Sequence, residues 1–219
     1  MPDLPTVTEP PVRTRDPEQT RQDILAAALA EFADKGLSGA RVDEIAARTR
    51  TTKRMIYYYF GSKAGLYAAV LEAAYGGMRD AEQGLDLDML APEAAMRRLI
   101  EVTFDYHAQH PEFVRLVAVE NIHSGHHLRH APAIAGRNDT VIRSLRALLD
   151  RGARDGIFRA GVDAVDLHML ISGFCFYRVS NRHTLGLIFG RDLTAPAHVT
   201  AQRRMIVEAV LAWLRPEAG

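Results

Sequence analysis

The stretch that most constrains the fold runs Thr51-Thr52-Lys53-Arg54-Met55-Ile56-Tyr57-Tyr58-Tyr59-Phe60-Gly61-Ser62-Lys63. Paired threonines offer N-capping oxygens, an amphipathic run follows, and Gly61-Ser62 ends that run and caps the next helix. The result is one short, self-contained helix. On a 3.6-residue period Ile56 and Phe60 share a face and anchor inward, while Lys53, Arg54, Tyr57 and Tyr58 lie on the other sides. A basic, aromatic outer face on so short a helix suits a DNA major groove. There Lys and Arg reach phosphates or guanine edges, and Tyr bonds phosphate oxygens. A solvated basic helix is the plainer alternative, and the preceding residues argue against it.

Val42, Ile45 and Ala46 form a small apolar stripe on Val42-Asp43-Glu44-Ile45-Ala46-Ala47-Arg48, and the break from Thr49 to Thr52 then gives a helix-turn-helix spacing. Upstream, Ile24, Ala28, Leu29 and Phe32 mark a third amphipathic helix closing at Lys35-Gly36, a cation followed by a C′ glycine. Three such helices can bury one small core. Formal net charge over the 219 residues is zero, so the whole chain does not advertise a nucleic-acid partner. The local balance does: Arg41 to Lys63 holds six cations (Arg41, Arg48, Arg50, Lys53, Arg54, Lys63) against Asp43 and Glu44, a net of +4.

Taken in order, Ile24-Leu25-Ala26-Ala27-Ala28, Phe32-Ala33-Asp34-Lys35-Gly36, Val42-Asp43-Glu44-Ile45-Ala46 and Tyr57-Tyr58-Tyr59-Phe60-Gly61-Ser62-Lys63 resemble the N-terminal DNA-binding domain of TetR-family transcriptional regulators. Two departures stand out. Family members usually carry Gly where this chain has Arg50, and a small apolar residue where it has Thr51. If the turn keeps its usual geometry, Arg50 takes φ > 0 at a cost of roughly 1 kcal/mol; alternatively the turn differs slightly and Arg50 adds a phosphate contact. The resemblance implies that Thr52, Tyr58, Tyr59 and Lys63 clamp phosphates, that Lys53, Arg54, Met55 and Tyr57 face the bases, and that Arg41 adds to the basic surface. It also implies a homodimer on a palindromic double-stranded operator, with recognition helices about 34–36 Å apart or at a wider spacing on the same face. A small-molecule effector would release the operator; the alternatives are an activator or dual regulator on the same fold, or a metal-responsive regulator using the cluster His123, His126, His127 and His130. A helix-turn-helix retained without function is the rival from another class, which the positive charge and outward tyrosines oppose.

The expected organisation is an N-terminal arm (1–16), a helix-turn-helix unit (17–65) and a larger helical ligand-binding and dimerisation unit (66–219). Pro2, Pro5, Pro10 and Pro11 make the arm a disordered segment, and Arg13 and Arg15 at its end either reach the DNA backbone or minor groove or are solvated linker charges. Ser62 caps a helix with Leu66, Tyr67, Val70, Leu71 and Ala74 inward, which Gly76-Gly77 weakens, as a hinge or as a packing device. Helices are expected from Pro92 to before Pro111, from Glu112 to Asn121, and from Pro132 to Asp155-Gly156. With no β alternation of useful length, the fold class is all-α. Ala164 to Val179 is apolar nearly all round, and Met205 to Leu214 carries Ile206, Val207, Val210, Leu211 and Trp213. Such helices need cover on every side, and the resemblance points to a second subunit.

The most tempting chemistry is His123, His126, His127 and His130, spaced i, i+3, i+4 and i+7, which on one helical face would suit zinc, copper or nickel. Gly125 interrupts that stretch and Pro132 follows, so a His-rich connection between helices is the alternative. No Gly-rich phosphate loop, G-x-S-x-G elbow or H-E-x-x-H pattern occurs; neither an enzyme nor a resident cofactor is expected. A ligand pocket is expected among Phe104, His107, Phe113, Glu120, Asn121, Phe174, Tyr177 and Arg178, where aromatic and polar residues share inward faces. Ser180 to Asp192 resembles a segment of a TetR subgroup that includes regulators of pyrimidine utilisation, with Asn181 and His183 read as buttresses of a helix junction. The single cysteine, Cys175, excludes an intrachain disulfide and reads as a buried thiol. No apolar stretch reaches about 18 residues and no signal-peptide pattern opens the chain, so no membrane partner and a cytoplasmic location are expected.

Overall fold

The computed structural model describes residues 16–217; the arm, with Arg13 and Arg15, otherwise lies outside the described residues. Ten α-helices follow one another there with no strand between them. The first, α1 (Pro17–Gly39), begins where Asp16 accepts the Glu18 N–H at 3.0 Å and Pro17 supplies a preset φ at the first helical position. At Gly36 the backbone turns to φ 64°, ψ 177°, a conformation open to glycine, so the Lys35-Gly36 stop is a kink before a last turn to Gly39.

Two short helices, α2 (Val42–Thr49) and α3 (Lys53–Phe60), lead into the long α4 (Lys63–Gln83). The helix continues through Gly76-Gly77 to Gln83. A Cβ on Gly77 would sit 2.7 Å from the Tyr106 hydroxyl, so this glycine lets another helix approach closely. The body continues with α5 (Pro92–Gln109), α6 (Pro111–Ile122), α7 (Pro132–Arg154), α8 (Ala164–Ser180), α9 (Arg182–Phe189) and α10 (Pro196–Leu214). The last of these starts well before Met205, and α9 is a helix the apolar pattern does not announce. Asn181 joins α8 to α9, donating its side-chain amide to Tyr177 O at 3.3 Å.

Two cores organise the chain. The first gathers Ile24, Ala28 and Phe32 of α1, Val42 and Ile45 of α2, Ile56 of α3, and Leu66, Tyr67, Val70 and Leu71 of α4. It does not close within the head, because Phe113, Val114 and Leu116 of α6 belong to it. Fully buried Ile56 is the one inward peg of α3, and truncating such a residue to Ala costs about 2–5 kcal/mol. The second core joins Met96, Ile100 and Phe104 of α5, Leu145 and Leu148 of α7, Leu167, Ile171 and Cys175 of α8, and Val207, Val210 and Leu214 of α10. Arg203 of α10 ties this layer to α5, donating to both Asp105 oxygens from Nε at 3.0 and 3.2 Å and lying 3.1 Å from Glu101.

The outer faces of the last three helices remain uncovered. Val165, Met169, Leu170 and Tyr177 of α8, Leu187, Ile188 and Phe189 of α9, and Met205 and Trp213 of α10 are all exposed, Leu187 at 86 %. Among the described residues no helix is long and apolar enough to cross a membrane.

Candidate DNA-reading head and the cavity behind it

The turn between α2 and α3 is built by Arg50 in the left-handed region (φ 52°, ψ 34°), so the expected cost at this position is present. Thr51 N–H returns to Ala46 O at 3.2 Å, and Thr52 Oγ1 accepts the Met55 N–H at 3.2 Å as the N-cap of α3. Lys53, Arg54, Met55, Tyr57 and Tyr58 are exposed together with Arg41, Arg50 and Thr52, Tyr58 at 77 %. They form one basic, aromatic surface. Lys53 Nζ already lies 3.2 Å from Asp43 Oδ2, an exposed pair that water and salt weaken.

Two of the proposed contacts sit differently from the sequence reading. Tyr59 is half-buried against the first core, its ring edge-on to Tyr58 at 5.5 Å, because three consecutive tyrosines cannot all face outward on a helix. Lys63, also half-buried, donates to Ser38 O at 3.2 Å at the end of α1. Phe60 is half-buried rather than an inward anchor equal to Ile56, with the Arg21 guanidinium 5.7 Å from its ring.

Glu31, which the sequence pattern did not single out, organises this head. Its carboxylate is 1 % exposed, accepts the Arg41 backbone N–H at 3.2 Å and Lys35 Nζ at 2.9 Å, and lies 3.2 Å from Arg48. Burial alone would raise its pKa, but those donors and charges outweigh burial and hold it below the usual carboxylate range. The signal was an acid beside Phe32 on the apolar face of α1.

Behind the head, α4, α5, α6 and α8 line a solvent-open cavity of about 570 Å³. Its apolar wall includes Tyr75, Met78, Phe113, Val117, Met169 and Phe176; its polar groups are Arg79, His107, Asn121, His168 and Ser172. Of the predicted pocket, His107, Phe113 and Asn121 line it. The other five lie elsewhere. Phe104 is buried in the second core beneath the Arg178 guanidinium, 4.3 Å from its ring, and Arg178 donates Nε–H to Gln202 at 3.0 Å. Phe174 packs against that core, and Tyr177 is exposed. Glu120, a residue before Asn121, is rotated out of the cavity by roughly 100° of helix. Its buried carboxylate instead accepts Tyr67 Oη–H at 3.1 Å, the His127 and Leu128 N–H groups at 2.7 and 3.2 Å, and His127 Nδ1–H at 3.0 Å. Burial pushes its pKa up, but these four donors prevail and hold it low.

Within the cavity His107 donates Nδ1–H to Thr103 O at 2.7 Å, and burial first, then nearby cations, lowers its pKa. His168 is lowered to about 4 by burial, Arg79 and His107. Arg79 pairs with Glu82, whose pKa burial raises. Arg79 had a sequence signal in Tyr75, Arg79 and Glu82, which recur along one face of α4.

The four histidines do not share a helical face. The chain leaves α6 at Ile122, and Ser124 (φ 57°) and Gly125 (φ 66°) redirect it. His127 is held by Glu120 with its ring 5.0 Å from Tyr67. Among the described residues no group of three or more His, Cys, Asp or Glu side chains is placed to hold a metal ion; the His130 side chain lies outside them.

A capped, basic-aromatic third helix mounted on a helical body with an open-mouthed cavity defines a DNA-binding regulator of the helix-turn-helix class. Residues 24–70 match the family model described as bacterial regulatory proteins, tetR family, and residues 92–210 match the tetracyclin repressor-like C-terminal domain. The chain is 37 % identical over 182 residues to the HTH-type transcriptional repressor NicS of Pseudomonas putida, covering 83 % of this chain and 86 % of that protein. It is 39 % identical over 157 residues to the HTH-type transcriptional repressor SCO4008 of Streptomyces coelicolor, covering 72 % and 77 %. In fold it is similar to a tetR-family regulatory protein from Rhodococcus RHA1, with a TM-score of 0.71 over 90 % of this chain and 97 % of that one, at 19 % identity. The chain belongs to the TetR family of DNA-binding transcriptional regulators.

Proposed function

We propose that the protein is a homodimeric repressor released from a palindromic operator by a small molecule bound in the cavity. Its similarity to two repressors favours repression. The exposed apolar faces of α8 and α10, carrying Met169, Leu170, Met205 and Trp213, supply the surface on which a second copy packs. In each head Arg54, Met55, Tyr57 and Lys53 meet base edges, while Thr52, Tyr58, Arg41 and Arg50 meet phosphates, with Tyr59 and Lys63 at the rim.

The observation that carries this reading is the position of α6. One face, with Val117 and Asn121, lines the cavity; the next carries Glu120, whose carboxylate holds Tyr67 in the α4 segment that belongs to the head core. A ligand that binds one placement of α6 more tightly than another therefore biases the heads, and only that difference in affinity can release DNA. Deleting the chain in its host should raise transcripts beside its binding sites. A fall in those transcripts would identify an activator instead.

A further inference from the structure

Resting on the effector-responsive reading, the cavity also carries information on which chemical class it takes. Arg79 is more than nine-tenths buried, and although it pairs with Glu82, its Nε–H has no hydrogen-bond partner. A buried guanidinium donor without an acceptor is costly unless something completes it. His107, equally buried, spends Nδ1–H on Thr103 O, which leaves Nε2 with its lone pair. The remaining wall is largely ring and thioether: Tyr75, Phe113, Phe176 and Met78. At about 570 Å³ the space lies in the size range of small-molecule clefts and has room for a one- or two-ring compound.

We propose that the effector is a compact aromatic carboxylate, its ring on the Phe113 and Phe176 wall and its carboxylate on the Arg79 guanidinium beside His107. Electrostatics supports an anion over a neutral ring. Burial aside, the charged groups acting on His107 are Arg79 of α4, Arg178 of α8 and His110 at the α5–α6 junction, all cationic or potentially so. Those acting on His168 are Arg79 and His107. Glu82 takes one side of Arg79, together with Thr103 Oγ1–H at 3.4 Å, yet the leading charges at either histidine are cations or another histidine. A bound anion relieves that field and makes protonation of His107 and His168 easier, so binding takes up protons and strengthens as pH falls below about 6.5.

The test uses the full chain, with benzoate, 4-hydroxybenzoate and 2-naphthoate as probes and the matching amides as uncharged isosteres. Calorimetry in buffers of different ionisation enthalpy reads affinity and proton uptake together. At least one carboxylate should bind roughly tenfold or more tighter than its amide, the scale of a charged against a neutral hydrogen bond, with net proton uptake. Arg79→Gln combined with Glu82→Gln, which leaves no lone buried charge, should erase the preference. His107→Gln, which keeps the ring wall intact, should keep the preference and reduce the proton uptake. Amides that bind as well as their acids, or no carboxylate binding at millimolar concentration, would overturn the proposal. A DNA-release assay separates the two readings. Carboxylate binding lost in the double variant but without release leaves the ligand class standing and refutes the switch. Release by an amide leaves the switch and refutes the anion.

Discussion

Replacing Glu120 by Gln tests the joint between cavity and head. In the native chain one buried carboxylate serves four donors: Tyr67 Oη–H, His127 Nδ1–H and two backbone N–H groups of the segment after α6. Gln keeps the shape and one acceptor oxygen, so the two backbone bonds can survive at neutral strength. Its NH₂ faces Tyr67 and His127, which must turn from donors into acceptors. Charged hydrogen bonds contribute about 1.5–3 kcal/mol each and neutral ones about 1, so the substitution should cost roughly 2 kcal/mol. Tyr67→Phe removes a single bond to a charged acceptor and should cost about 1.5–3 kcal/mol, and the two changes should not add, because they share that bond. Urea unfolding of the four proteins measures this directly. The native carboxyl has its pKa depressed below 4.5, so its contribution is complete above that value and is lost as pH falls through the folded pKa. The stability gap between wild type and Glu120→Gln should therefore be constant from pH 6 to 8 and narrow below about 4.5. A gap independent of pH, or additive losses in the double variant, would refute this reasoning.

Other substitutions probe separate parts. Arg54→Ala should relax preference at particular operator base pairs, costing about 1–3 kcal/mol there by competition binding, whereas Lys63→Ala should lower affinity uniformly and reduce the salt slope by about one ion. A uniform loss for Arg54 or an unchanged slope for Lys63 would remove that residue from its role. Arg50→Gly relieves the left-handed strain and should stabilise the fold by about 1 kcal/mol in urea while weakening DNA binding; destabilisation would mean the arginine side chain is worth more than the strain. His107 and His168 have folded pKa values below 6.5, so the unfolded chain binds more protons between about pH 4 and 6.5 and stability should rise with pH across that window. His168→Gln should flatten this rise, and an unaltered slope would exclude His168 as its source.

The sequence showed the head well because local rules govern it. The capping Thr52 and the spacing of Val42, Ile45 and Ile56 act within a few residues, and the strained turn at Arg50 was legible from one side chain out of place, whereas Gly36 proved a kink rather than a stop and Phe60 only half-buried. The cavity was less legible because four helices converge on it, and periodicity does not say which neighbour a face meets. Glu120 and Asn121 differ by one position yet serve the joint and the cavity respectively. The histidine ladder failed for a local reason: positive φ at Ser124 and Gly125 breaks the helix that the spacing presupposes. Short α9, with Gly186 inside and Leu187, Ile188 and Phe189 outward, has no buried stripe for a pattern to reveal.

Sequence-specific recognition of a palindrome is the property on which the proposed mechanism depends. Selection of genomic fragments by the purified full chain at about 150 mM salt, where non-specific binding is largely screened, measures it most directly. Enrichment of one palindromic motif, with half-sites spaced for two α3 helices on one face of the duplex, is the expected result. Enrichment of no motif, in the presence and absence of the aromatic acids, would contradict it.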